Sequence, residues 1–497
     1  MTQSRRYQYF SAFGVSLTAM ATGIAQFWSA PILPKFINKE IDMNITDTEL
    51  SWMVSVISPG SVVGSMAASF ISDKLGRRIT LLGSAFPFIA GTIFILCATM
   101  PWILYIGRFL WGIAHGMINT VSSVYLSEIA DKEIRGTLVV GTRIMFNFGA
   151  TFVLIVGSFV SYQTLSYVII GVVMCYSFVC LGIAETPYFH LRRGRVYLAR
   201  SDIMKLSGMK NGKEVDEKLT AMRAEVKRDM TRSSSVKELL TSRRYRKAIL
   251  ICVGLRITQV MAGSIPIQQY LGAIILESNI NIQVTTALIV FGIARFLVGF
   301  PSSFVIDKIG RRPMFIYSYI GAGIILAING TYFFNKEAIS QNANLSRFST
   351  IIFAAMVLCK VISNLGFDIL IFVVPGEIFP LNVRSTAMGV YSIFSAFVVF
   401  VAIRGYQLLK DISGLHGVFW FYSIMAFSGA VFCYYIVPET RGKSLKEIQM
   451  ELQGDLFDDT TVELDTVGNE DSGKHVNAKE GTELKEIKGE SDGLLNR

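Results

Sequence analysis

The chain has 497 residues, of which 52% are hydrophobic and only 17% are charged, and its mean hydropathy is +0.47. Soluble domains carry about 25% charged residues, so this composition excludes an ordinary soluble protein. The net charge is +10. Basic loops beside membrane spans produce such a charge, and we therefore expect no nucleic-acid partner.

Apolar runs that are long enough to cross a bilayer recur along the chain and predict an all-α membrane protein with twelve transmembrane helices. The first run is followed by a second pass, which favours a first span over a cleaved signal peptide. The predicted spans are 10–33, 50–72, 79–99, 102–127, 138–160, 163–184, 247–272, 285–306, 314–334, 350–375, 387–409 and 417–437.

All six cysteines fall inside these spans, so neither paired disulfides nor a CxxC metal site is expected. The chain shows no nucleophile–base set, phosphate-binding loop or metal-ligand set. The sequence therefore predicts neither an enzyme nor a bound cofactor. The expected partners are a small-molecule solute and the lipid bilayer, and the oligomeric state is left open.

Basic residues cluster in the loops that alternate spans place on one side, and the positive-inside rule makes that side cytoplasmic. We expect a multi-pass protein of the plasma membrane. Both termini are then cytoplasmic. Three sequons fall on the opposite side and predict N-glycosylation, although the second lies close to the membrane. The predicted acceptors are Asn44, Asn329 and Asn344.

Two motifs from the first half of the chain recur in the second half, in the same order. "ISDKLGRR" at 71–78 recurs as "VIDKIGRR" at 305–312, and "SEIADKEIRGT" at 127–137 recurs as "GEIFPLNVRST" at 376–386. Two homologous six-helix halves explain this order, with a solute bound near the midplane between them.

The repeat and the charge pattern divide the chain into segments. The last of them holds twelve acidic and five basic residues and is predicted to be disordered. The segments are a cytoplasmic N-terminus (1–9), a six-helix bundle (10–184), a cytoplasmic linker with short helices (185–246), a second bundle (247–437), a motif segment (438–454) and an acidic tail (455–497).

Together with "GRFLWG" at 107–112 and "PETRGKSLKEI" at 438–448, these duplicated motifs resemble the sugar porter family of the major facilitator superfamily. Within that family, the chain resembles insect facilitated trehalose transporters. The resemblance implies two pseudo-symmetric six-helix bundles, a sugar as solute and alternating access. It also implies a network of cytoplasmic gate ion pairs within and across the halves, formed by Asp73, Arg77, Arg108, Glu128, Arg135, Asp307, Arg311, Glu377 and Arg384.

The substrate cavity departs from the family pattern. Gln259 matches the first glutamine of the family's seventh helix, but Arg143 and Arg295 stand where glucose facilitators have neutral amides. Phe372 replaces a tryptophan, and Asp368 is a new acid. The predicted substrate-binding residues are Arg143, Arg256, Gln259, Gln268, Arg295, Asn364, Asp368, Phe372 and Ser395.

Charges inside spans normally face a cavity or a partner. One reading is an internal ion-pair network around a neutral sugar, for example Arg295 with Asp368, with Lys360 as a further charge. The other is an anion-selective cavity, since three deep arginines exceed one deep acid.

Three functions stay open on the sequence. The first is facilitative sugar transport, favoured because the first span contains no Asp or Glu, where proton-coupled sugar symporters carry an acid. Asp368 keeps proton coupling open. The second function is organic-anion transport through the cavity arginines. The third is a nutrient receptor without transport, since the tenth span lacks the two hinge prolines of the family.

Overall fold

The computed structural model describes residues 5–131, 134–208, 212–231, 236–278, 282–299, 308–338, 349–379, 381–443 and 445–453. All regular structure in these ranges is helical. The first nine helices are α1 (Arg6–Phe27), α2 (Ser29–Ile37), α3 (Asp47–Ser55), α4 (Ile57–Leu75), α5 (Arg77–Gly83), α6 (Ala85–Leu96), α7 (Pro101–Ile129), α8 (Arg135–Phe159) and α9 (Tyr162–Leu181).

Four helices follow in the linker, and a 3-10 turn at Arg243–Tyr245 leads into the helices of the second half. The linker helices are α10 (Pro187–Arg192), α11 (Val196–Ser207), α12 (Gly212–Thr231) and α13 (Val236–Thr241). The helices of the second half are α14 (Arg246–Met261), α15 (Ser264–Gln269), α16 (Leu271–Glu277), α17 (Val284–Val298), α18 (Arg311–Ala338), α19 (Ser349–Leu365), α20 (Phe367–Ile378), α21 (Leu381–Ile436) and α22 (Leu445–Gln453).

Eight helical stretches in the described residues are long and apolar enough to cross a membrane. One of them, Thr386–Ile436, has 51 residues and reverses at Gly414, whose φ of 67° favours glycine. The eleventh and twelfth spans are thus the two arms of α21. The remaining spans are α7, the α14–α16 series and the shorter apolar helix α17, and together they complete the twelve-helix fold.

The same helix pairings occur in both halves. In the first half α1 packs along α8, and α6 packs against α7 and α9. In the second half α14 packs along α21, and α18 packs against α19 and α21. Repeated pairing in the same order is the pseudo-symmetry that the duplicated motifs predict.

The two halves meet along several helices, and the largest of these contacts involve four helix pairs. Helix α8 lies against α17, α2 lies against α16, and α21 lies against α3 and α4. Several spans that meet here are interrupted. Helix α14 ends before Gly263, whose φ is 82°, and α19 and α20 are separated by Gly366. These breaks place helix ends and polar side chains inside the membrane-spanning part of the protein.

The three predicted sequons lie in different surroundings. Asn44 is exposed in the loop between α2 and α3. Asn329 lies within α18 and is 0% exposed, so the expectation of glycosylation there is wrong in this conformation. Asn344 lies outside the described residues.

Candidate functional site

Asp368 is the centre of a buried polar network at the break between α19 and α20. Its Oδ2 lies 2.5 Å from Lys360 Nζ, while its Oδ1 accepts hydrogen bonds from Ser264 Oγ and from Gln259 Nε2 at 2.8 Å. Gln259 Oε1 in turn accepts from Arg256 at 2.6 Å. A carboxylate in the first turn of a helix also gains from the helix dipole. One side chain thus joins α14, α15, α19 and α20.

Arg295 is not the partner of Asp368, and the proposed pair between them does not form. Arg295 instead donates to Asn147 Oδ1 at 3.1 Å, and its guanidinium carbon lies 4.0 Å from the centre of the Phe27 ring. Lys360 forms the ion pair with Asp368 instead, because both residues lie on the same span on either side of the helix break. Asn364 donates to the backbone oxygen of Arg295 at 3.2 Å.

Two arginines reach across the interface between the halves. Arg295 on α17 contacts Asn147 on α8 and Phe27 on α1. In the opposite direction, Arg143 on α8 stacks on Phe372 of α20, with its guanidinium carbon 4.3 Å from the ring centre. Such cation–π contacts leave the edges of the guanidinium free to donate hydrogen bonds.

The arginines carry charge that the described acids do not balance. No described carboxylate forms an ion pair with Arg143, Arg256 or Arg295. In the described residues, Arg256 Nε and two nitrogens of Arg295 are buried without a hydrogen-bond partner. The polar region between the halves is therefore strongly positive.

A second polar region lies within the C-terminal half. It is a small cavity of about 30 Å³, and Ser264 and Lys360 belong both to its lining and to the Asp368 network. Gln268 and Asn329 line it, and Gln268 Oε1 and both amide atoms of Asn329 have no partner among the described residues. The arginines do not line this cavity. Of the predicted substrate-binding residues, Gln268 thus lines a cavity that the arginines do not line. Ser395 is half-buried on α21.

Sequence reasoning missed three groups in this region. Asn147 is one helical turn after Arg143, a spacing that places both residues on one face of α8. Ser264 follows directly on Gly263, so the helix break at that glycine was the available signal. Phe27 ends α1 and carried no signal of its own.

The cytoplasmic motifs form matching ion pairs in the two halves. Arg77 lies 3.0 Å from Glu128 and 3.6 Å from Asp73. In the second half, Arg311 lies 3.2 Å from Glu377. Each of these pairs stays within one half.

Two further acids fix the same loops, and the sequence analysis did not assign them. Glu185 accepts from the backbone N–H groups of Arg77 and Arg78 at 3.0 and 3.1 Å. Glu439 accepts from those of Arg311 and Arg312, both at 3.0 Å. The signal was available, because "AETP" and "PETR" recur in equivalent positions.

Arg108 does not belong to the cytoplasmic pairs, and the expectation that it does is wrong. It precedes Glu128 by twenty residues on the continuous helix α7, which separates the two by about 30 Å. Arg108 is fully buried between Trp28 and Trp111 and donates to the backbone oxygens of Ala25 and Met53 at 2.6 and 3.3 Å. Asp307 and the side chains of Arg135 and Arg384 lie outside what the structure describes.

Two helical halves that face each other across a polar, membrane-embedded region define a membrane transporter of the major facilitator fold. The family model described as "Sugar (and other) transporter" matches residues 7–452. The chain therefore belongs to the sugar transporter family, a family of carriers rather than enzymes.

Relatives in insects agree with this assignment. The chain is 26% identical over 445 residues to the facilitated trehalose transporter Tret1 of Bombyx mori, covering 90% of this chain and 86% of the relative. It is 28% identical over 449 residues to the Tret1-2 homolog of Drosophila sechellia, covering 90% and 91%.

Solved structures show the same fold. The inward open conformation of the xylose transporter XylE from E. coli matches with a TM-score of 0.71 at 18% identity, covering 89% of this chain and 98% of that one. The proton:xylose symporter XylE bound to 6-bromo-6-deoxy-D-glucose matches with a TM-score of 0.67 at 19% identity, covering 90% and 100%.

Proposed function

We propose that the protein is a facilitative transporter that moves a sugar across the plasma membrane by alternating access. Family membership and the insect relatives named for facilitated trehalose transport support this function. The basic loops support a cytoplasmic location for both termini, and exposed Asn44 is the favoured glycosylation site. The segment boundaries given above are part of the same proposal.

The observation that carries the proposal is the polar contact between the halves at the level of the broken helices. Arg295 reaches from α17 to Asn147, and Arg143 reaches from α8 to Phe372. Contacts that cross the interface must change when one half rocks against the other. Groups in this position bind a solute in one state and release it in the next.

The proposed solute contacts are the polar and aromatic groups of this interface, together with the neighbouring network. Amides both donate and accept, which suits sugar hydroxyl groups. The proposed substrate-binding residues are Arg143, Arg256, Gln259, Gln268, Arg295, Asn364, Asp368, Phe372 and Ser395.

We assign the protein to facilitated diffusion because its first span offers no proton-carrying acid. Helices α1 and α2 contain no Asp or Glu. Arg108 packs beside this span on backbone carbonyl oxygens. Asp368 is held in an ion pair by Lys360 and accepts hydrogen bonds from two neutral donors, Gln259 and Ser264.

Purified protein in liposomes tests the proposal. We expect counterflow of labelled trehalose or glucose with equal pH on both sides, and no change when a protonophore is added. Uptake that requires an inward proton gradient would replace the facilitator with a symporter. Saturable sugar binding without counterflow would instead assign a nutrient receptor.

A further inference from the structure

The region between the halves holds three positive charges that no described carboxylate balances. Arg143, Arg256 and Arg295 come from three different helices, α8, α14 and α17. Asp368 is the one described acid of the network, and Lys360 neutralises it. An uncompensated charge within a membrane protein is costly, so such groups mark the path or the site of a charged ligand.

The hydrogen-bonding state of these arginines supports a ligand of opposite charge. Arg256 and Arg295 are only 7% and 5% exposed, yet Arg256 Nε and Arg295 Nε and Nη1 have no partner among the described residues. Removing a guanidinium from water without replacing its hydrogen bonds is strongly unfavourable. An oxyanion supplies both the missing charge and the missing acceptors.

The faces of two guanidinium groups are already occupied. Phe27 covers Arg295 at 4.0 Å, and Phe372 covers Arg143 at 4.3 Å. A stacked guanidinium keeps its edge for a planar carboxylate or for a phosphate, which it binds through paired N–H groups. This arrangement orients the arginines for oxyanion recognition.

Neutral amides lie beside the same arginines. Asn147 accepts from Arg295, and Asn364 donates to the backbone of Arg295. Gln259 accepts from Arg256. Amide groups next to an anion site can donate hydrogen bonds to, and accept them from, the hydroxyl groups on the rest of a ligand.

We propose that the solute is a sugar carrying an oxyanion, either a sugar acid or a sugar phosphate. The anionic group binds Arg143, Arg256 and Arg295, and the hydroxyl groups bind the neighbouring amides. This inference rests on the proposed transport of a sugar and names the chemical class of that sugar.

Equilibrium binding to the purified full-length protein tests the inference without relying on flux. The ligands are glucose, glucuronate, glucose 6-phosphate and inorganic phosphate, measured by titration calorimetry at low and physiological salt. We expect glucuronate or glucose 6-phosphate to bind at least about tenfold more tightly than glucose. Whichever of the two binds more tightly identifies the oxyanion. Equal or tighter binding of glucose, or inorganic phosphate binding as tightly as glucose 6-phosphate, would overturn the inference.

Matched variants locate the effect. We expect Arg295→Gln and half-buried Arg143→Gln each to weaken binding of the acidic sugar by about tenfold or more, and to weaken glucose binding by a smaller factor. Arg295→Lys keeps the positive charge but loses the paired N–H groups of the guanidinium, so it should give an intermediate loss of affinity for the acidic sugar. The control is Arg404→Gln, whose guanidinium contacts Thr48 and Trp52 of α3 instead. Equal losses for glucose and for the acidic sugar in both Gln variants would contradict the inference.

Flux separates this inference from the proposed function. If glucose and trehalose undergo counterflow as fast as the acidic sugars do, the protein is a transporter but the acidic sugar is rejected as its preferred solute. Tight, arginine-dependent binding of an acidic sugar without any counterflow would do the opposite. It would keep the site and reject transport.

Discussion

Lys360 Nζ lies 2.5 Å from Asp368 Oδ2, and the two residues lie on opposite sides of the helix break at Gly366. The pair bridges this first break. The other carboxylate oxygen of Asp368 accepts hydrogen bonds from Gln259 and Ser264, which lie on either side of a second break at Gly263. Two interrupted spans are thereby joined through one side chain. This contact replaces some of the rigidity that a continuous helix would supply.

Breaking this pair should destabilise the protein strongly. Lys360→Met leaves a buried carboxylate without its cation, and Asp368→Leu leaves a buried ammonium without its acid. Each single variant should cost about 3–5 kcal/mol, and the double variant should recover most of that loss. Unfolding of the detergent-solubilised proteins measures the cycle.

A partly exposed pair provides the comparison. Lys410 lies 2.6 Å from Glu277, with 19% and 30% of the side chains exposed. Lys410→Met should cost less than about 1 kcal/mol. If Lys360→Met were no more damaging than Lys410→Met, the pair at the helix break would have no special structural role.

The duplicated cytoplasmic pairs should set the balance between the two access states. Glu128→Gln removes the partner of Arg77, whose side chain is only 4% exposed. We expect a change in the equilibrium between access states of about 5- to 30-fold, within the usual range of coupling energies. The measurement is the initial rate of sugar counterflow together with the binding affinity, which should change less than the rate.

The neighbouring acid is a matched control for this prediction. Asp73 is 65% exposed and lies 3.6 Å from Arg77, so Asp73→Asn should have little effect. The exchange Arg77→Glu with Glu128→Arg should restore part of the rate, and Glu377→Gln should reproduce the effect of Glu128→Gln. A loss in Asp73→Asn equal to that in Glu128→Gln would contradict a gate role.

The sequence predicted the two-half fold because apolar length and duplicated motifs are local properties of the chain. The sequence did not predict contacts that depend on how deep a residue lies in the membrane or on where a helix is interrupted. Grouping Arg108 with Glu128 ignored the rise of α7, which separates them by about 30 Å. The sequon at Asn329 could not reveal that α18 buries this amide completely.

The partner of Asp368 was undecidable from the pattern because several cations lie at spanning depth. The choice of Lys360 depends on the break at Gly366, and no hinge proline at that point signals the break. The arginines themselves were found from the sequence, since any charge in an apolar run is conspicuous. Their contacts with Phe27, Asn147 and Phe372 depend on how the halves meet.

Close helix packing at Gly64 should be sensitive to a single methyl group. A Cβ placed there would lie 2.0 Å from the backbone oxygen of Ile113, so α4 and α7 would have to separate. Overpacking of this kind costs about 1–3 kcal/mol. We expect Gly64→Ala to lower the thermal unfolding midpoint, whereas Gly171→Ala, with open space around its Cβ, should not. Equal midpoints for both variants would show that the two helices separate without cost.

The linker should be held to the first half by Asp131. Its Oδ1 lies 2.8 Å from Lys218 Nζ of α12, and its Oδ2 accepts from Gln8 of α1 at 3.0 Å. Lys218→Met should therefore speed amide hydrogen exchange in α12 at neutral pH by about 2- to 5-fold, the effect of a partly exposed ion pair. The control is Arg223→Met, because Arg223 is exposed on the same helix.

The pH dependence of this contact follows from the direction of the pKa shift. Burial raises the pKa of Asp131, but the hydrogen bonds from Lys218 and Gln8 and the charge of Lys218 outweigh it and hold that pKa below its ordinary value. A depressed pKa means that the contact contributes fully above the ordinary carboxyl pKa and is lost as the pH falls through the folded value. Protection of α12 that is due to Asp131 should thus be constant between pH 8 and 6, after correction for the intrinsic exchange rate. A loss of protection within that window in the wild-type protein, but not in Lys218→Met, would show that Asp131 titrates near neutrality and that the lysine does not stabilise its charge.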